Sequence, residues 1–229
     1  IFVLTSLIVF PRTRWTQWAR LKISRSHFRR DSVYARQGYT SAERFNLIGG
    51  IRVIVQSQRT NDHITIYQPG ESLEIPDGAR LIANSITIVG GAIAIGRAAI
   101  LRAQDFIELS LEGNNAGDIW IQQRARLTAT DIDIDTFFSD GPVRGERVRV
   151  RVRNLSLYAR TQIAFTNSWF RSDGNLIFDT QESPPKRPAL DLRGTTFTGV
   201  NYNLFGRGTP VNIEGMQTKG RPASVSIGE

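Results

Sequence analysis

The chain has 229 residues, 40% of them hydrophobic and 22% charged, which is enough apolar surface for a folded core. It has no cysteine and only two histidines, His27 and His63, which excludes disulfides and thiolate metal sites and argues against a multi-histidine metal centre. The net charge of +8 is uneven: residues 1–60 hold 11 basic and 2 acidic residues and the remainder 18 and 19, so the pI near 10.5 describes a basic arm on a neutral body.

Residues 1–10 are almost wholly apolar, but a bilayer-spanning helix needs about 20 such residues. The run is read as the end of a membrane-anchoring helix, because no small-residue cleavage motif follows it. Pro11-Arg-Thr-Arg-Trp15 follows instead, and Trp15, Trp18, Arg12, Arg14 and Arg20 are residue types enriched at a membrane interface. Membrane lipid is therefore the expected partner of this segment. A buried strand or short helix is the alternative. Nucleic acid, with Trp15, Trp18 and Phe28 as stacking residues, ranks below lipid because the aromatics adjoin an apolar run. Residues 16–45 are rich in Arg, Ala, Gln and Ser and lack alternation, which predicts a mainly helical stretch ending at Gly49-Gly50. Residues 1–50 thus form an anchor plus basic helix, and residues 51–229 form the body.

From residue 63 the pattern changes. In Ser72-Leu-Glu-Ile-Pro-Asp-Gly-Ala-Arg-Leu-Ile-Ala-Asn-Ser-Ile-Thr-Ile-Val-Gly-Gly-Ala-Ile-Ala-Ile-Gly96, alternating segments of three to five residues are cut off by Gly, Asn, Asp or Pro. Strands so short bury nothing alone and need stacked neighbours, which predicts a right-handed parallel β-helix, a solenoid. An all-β sandwich of antiparallel strands is the structural rival. Expected strands include 51–55, 64–67, 72–75, 80–83, 85–89, 92–95, 106–111, 118–121, 126–130, 131–135, 147–153, 155–158, 162–165 and 175–178. Ile86, Ile88, Ile93, Ile95, Ile119, Ile121, Val148 and Val150 are the expected core. Turn-rich segments at 139–146 and 181–188 are expected loops.

Gly113-Asn-Asn-Ala-Gly-Asp-Ile-Trp-Ile121 resembles a coil of the filamentous-haemagglutinin-type adhesins, whose repeats carry a Gly-Asn-Ala-Gly-(Asp/Asn)-Ile-x-Ile phrase. Ser24-Arg-Ser-His-Phe-Arg-Arg30 and Ala42-Glu43 are similar to the helix that follows the membrane segment of PilX-like minor pilins. The resemblances imply a surface or pilus-associated β-helix held by an N-terminal helix.

Two charged strips stand out in the body. In Asp131-Ile-Asp-Ile-Asp135, alternation places Asp131, Asp133 and Asp135 on one face. They could bind a hard cation or supply acid and base groups, but a solvated strand face is the preferred reading. In Arg147-Val-Arg-Val-Arg-Val-Arg153, alternation turns Val148, Val150 and Val152 inward and Arg147, Arg149, Arg151 and Arg153 outward. This stripe suits a polyanion such as an anionic glycan. The rival reading, which is favoured here, is a salt-bridge ladder with the aspartates, since they lie about one coil earlier in sequence. No catalytic residue, metal ligand or cofactor site is assigned. The polygalacturonase-like signatures and the Gly-x-Ser-x-Gly elbow are missing. The sequence therefore suggests a non-enzymatic structural or adhesive subunit that binds other protein subunits. Its body is expected outside the cytoplasm, with a scaffold on the cytoplasmic side of a membrane complex as the alternative.

Overall fold

The computed structural model describes residues 52–55, 57–113, 117–136, 139, 141–180, 189–199, 201–206 and 211–219. It also describes the strand backbones Arg20–Ile23, Ser32–Arg36, Phe45–Asn46 and Ser224–Gly228. The body is a parallel β-solenoid of about seven turns. Each turn contributes one strand to each of three sides, and each strand stacks on its counterpart one turn away.

Side A contains Gln58–Arg59, 80–83, 100–103, Arg126–Thr128, Arg149–Val152, Trp169–Ser172, Thr196–Thr198 and Gln217–Lys219. Side B contains 63–68, 85–90, 106–111, Asp131–Asp135, Asn154–Ala159, Asn175–Thr180, Asn201–Gly206 and Ser224–Gly228. Side C contains Arg52–Val55, 72–75, 92–95, Ile119–Ile121, Val143–Glu146, Ile163–Thr166 and Leu190–Asp191, with Asn212 bridged to Asp191. All these pairings are parallel, so the antiparallel sandwich is excluded.

Strand alternation turns every second residue inward, and parallel register stacks like upon like. Leu81, Leu101, Leu127, Val150, Phe170 and Phe197 form one interior column. Ile64, Ile86, Ile107, Ile132, Leu155 and Leu176 form a second. The eight expected core residues are all buried. Complete burial of one such side chain is worth roughly 1.5–3 kcal/mol, so the columns carry the fold's stability. Toward the C-terminus the columns become aromatic. Phe165 and Phe170 meet edge to face with centroids 5.1 Å apart, and Phe170 stacks on Phe197 at 5.3 Å.

Sides C and A meet at a tight turn. Ala79, Ala99, Ala125, Thr195 and Met216 each donate a backbone N–H to the carbonyl three residues earlier, at 3.0–3.2 Å. One residue per turn there has positive φ: Gly78, Ala98, Arg124, Arg147, Asn167, Gly194 and Gly215, with φ between 51° and 70°. The corner is thus a column of left-handed residues that runs the length of the described solenoid.

One expectation on local structure changes. Val143–Glu146, placed in the expected loop 139–146, is a side C strand paired with Ile119–Ile121 and Ile163–Thr166. Gly141, Pro142 and Gly145 imitate a loop there, although Pro142 still accepts a ladder bond from Ile119. Loop 181–188 lies outside the described residues. So does most of the expected N-terminal helix, and the described pieces of that stretch are extended strands. Among the described residues no helix is long and apolar enough to cross a membrane.

Candidate functional site

The salt-bridge ladder between the Arg and Asp strips does not form. Asp131–Asp135 stacks on 106–110 and 154–158 of side B, whereas Arg149–Val152 stacks on Arg126–Thr128 and Trp169–Ser172 of side A. The sequence spacing misleads because a coil has three sides. A separation of 16–18 residues moves the chain around the prism to another side, and about 20–27 residues return it to the same column, as the left-handed positions show.

Alternation within each strip is as expected. Val148, Val150 and Val152 are buried, and Arg147, Arg149, Arg151 and Arg153 are exposed. Arg147 sits at the corner in the left-handed conformation, Arg149 and Arg151 lie on side A, and Arg153 begins the turn toward side B. On side B, Ile132 and Ile134 are buried, while Asp131 and Asp133 face outward. Desolvation raises the Asp133 carboxyl above its ordinary value, with Asp135 and Glu108 adding repulsion. Among the described residues, no group of His, Cys, Asp and Glu is arranged to hold a metal.

The Arg strip is half of a larger site. Arg126 pairs in register with Arg149, and Arg124 stacks beneath Arg147 at the corner. Together with Trp169 they line an open groove of about 660 Å³ along the junction of sides C and A. The four arginines are exposed and Trp169 is half-buried. The acidic neighbour is Glu146, 3.6 Å from Arg147 and already accepting a 3.1 Å hydrogen bond from Gln123. Among the described residues, no acidic residue lines the groove. Arg193, further along the corner, is different: it forms two 2.8 Å bonds to Asp191. In-register like charges repel across a ladder, so the Arg126–Arg149 and Arg151–Arg171 pairs each cost stability unless an anion sits on them.

Arg124, Arg126 and Trp169 were not singled out by sequence. The signal for the two arginines was available: Arg124-Ala-Arg126 and Arg147-Val-Arg149 are one phrase repeated 23 residues apart, whereas no such phrase marks Trp169. The N-terminal candidates Trp15, Trp18, Arg12 and Arg14 lie outside the described residues, and only the backbone is described at Arg20. Comparison with protein-family models, curated proteins and solved structures finds no match.

Proposed function

We propose that the chain is a non-enzymatic structural or adhesive component of a membrane-anchored surface assembly, with a right-handed solenoid body. One observation carries the reading: three continuous parallel ladders turn each outward position into a column that repeats about every 4.8 Å. Such a prism presents straight columns of outward side chains along its length. That is the geometry for display and for contact with other subunits or extended partners. The N-terminal run beside Trp15, Trp18, Arg12, Arg14 and Arg20 supplies the membrane attachment, and the resemblance to adhesin coils supports an extracytoplasmic body.

The basic arm favours a second reading, because positive residues beside a membrane segment tend to stay inside. In it the solenoid is a scaffold on the cytoplasmic face of a membrane complex. Protease treatment of intact cells separates the two. Cleavage of the body in intact cells is expected, and full protection until lysis would move it to the cytoplasmic side.

A further inference from the structure

We infer that the corner groove binds a linear anionic polysaccharide, running along the solenoid axis over Arg124, Arg126, Arg147 and Arg149 against the face of Trp169. The inference deepens the adhesive reading and rests on it for the class of polymer.

Three observations converge on this groove. The first is charge: four exposed guanidiniums line it, with no acidic lining residue among the described residues. Guanidinium forks match carboxylate and sulfate oxygens bidentately. The second is spacing. Arg126 and Arg149 are in register one turn apart, about 4.8 Å, and Arg124 and Arg147 repeat that step at the corner. The cations thus form a two-by-two array that a repeating polymer engages at several points, with small anions held at only one.

The third observation is the backbone. Of the seven left-handed corner positions, glycine occupies three: Gly78, Gly194 and Gly215. Arginine occupies two, Arg124 and Arg147, and both line the groove. A non-glycine residue there costs roughly 1–2 kcal/mol. Strain held by side chains that converge on one groove points to a use for those side chains.

Trp169 decides between polymers. Single-stranded nucleic acids are held by several aromatics that stack on successive bases. This groove offers one indole beside a row of cations, which suits a sugar face flanked by anionic substituents.

The test uses the whole chain and dextran sulfate, with neutral dextran as the control. Dextran sulfate should bind and neutral dextran should not. Arg126→Gln with Arg149→Gln should weaken binding about tenfold. The pair should also lower the slope of log affinity against log salt by about two. Trp169→Ala should weaken binding as well. Arg144→Gln with Arg160→Gln removes the same net charge away from the line of the groove and should leave binding nearly unchanged. Equal loss from the two pairs, or no binding by the wild type, overturns the inference. So does tighter binding to oligo(dT) than to dextran sulfate. Hydrogen exchange on the unaltered chain avoids dependence on variant folding. Protection by dextran sulfate at 124–128 and 147–151 is expected, and protection only elsewhere overturns the site. Protease protection of the body in intact cells would sink the surface reading while leaving this binding result standing. Failure to bind, with the body accessible, would sink only the groove.

Discussion

Arg124 donates its backbone N–H to the carbonyl oxygen of Arg147 at 3.0 Å, and both residues hold left-handed conformations, φ 64° and 51°, one turn apart at the same corner. One turn on, Arg147 donates to Thr166 at 2.9 Å and Gly194 makes the equivalent bond to Glu214 at 2.9 Å with φ 63°, each to the residue before the next left-handed position. The corner geometry is therefore independent of the side chain, and glycine satisfies it without strain.

Replacing Arg124 or Arg147 with glycine should stabilise the fold. Relief of the left-handed penalty is worth about 1–2 kcal/mol, and the extra entropy of an unfolded glycine offsets about 0.5–1 of it. The net gain should be roughly 0.5–1 kcal/mol per site, read as a higher denaturant midpoint with an unchanged slope. Affinity for dextran sulfate should fall in the same proteins. A lower midpoint would mean that the arginine side chains support the corner, and the strain argument would be lost.

The solenoid was legible in the sequence because its signal is local. Alternation in 85–89 and 92–95 and the glycine pair between them set strand length and inward faces directly. Side membership was not legible. Whether Asp133 meets Ser156 or an arginine depends on the count of residues around a whole coil, and unequal turns make that count variable. The same variability hid Arg124 and Arg126 as neighbours of Arg147 and Arg149. Val143–Glu146 was missed because its two inward positions are Val143 and Gly145, and the glycine carries no apolar signal.

Asp133 on side B makes stability depend on pH. Burial first, then Asp135 and Glu108, raise the Asp133 carboxyl above 3.8. The native state then keeps a proton that the unfolded chain has lost, so stability falls as pH rises from 3.8 through the raised value and levels off above it. Asp133→Asn should flatten that part of the profile. It should raise the unfolding midpoint at neutral pH and leave it unchanged below pH 3.8. A variant less stable at neutral pH would show that the carboxylate makes a favourable contact.

An amide column edges the same side. Asn154 donates its Nδ2 to Asp131 Oδ1 at 2.8 Å, and its Oδ1 accepts the Asn175 backbone N–H at 3.2 Å. Asn201 Nδ2 continues the column to Asn175 Oδ1 at 2.8 Å. Asn154→Ala should cost about 1 kcal/mol, the net value of a bond of this kind. Asn154→Asp should cost more at neutral pH, because it sets a second carboxylate against Asp131, and acid should recover part of the loss. Equal stability of both variants at all pH values would mean the column is incidental.

Gly145 and Phe165 are stacked inward positions on side C, and they share one space. A Cβ on Gly145 would stand 2.6 Å from Phe165 Cδ1 and 2.9 Å from Val148 Cγ2. The glycine is required by volume: its backbone has no left-handed φ, and the ring of the next turn fills the place of its side chain. Gly145→Ala should therefore destabilise by about 1–3 kcal/mol, the usual cost of overpacking a full core. Phe165→Leu alone should also destabilise, because it opens a void among Phe170 and Phe178. The double variant should be more stable than the sum of the two losses predicts, since the smaller side chain admits the new methyl group. Unfolding of the four proteins of this double-mutant cycle measures the coupling. Strict additivity would show that the two positions do not compete for the same volume, and the stacking register of side C at this turn would have to be redrawn.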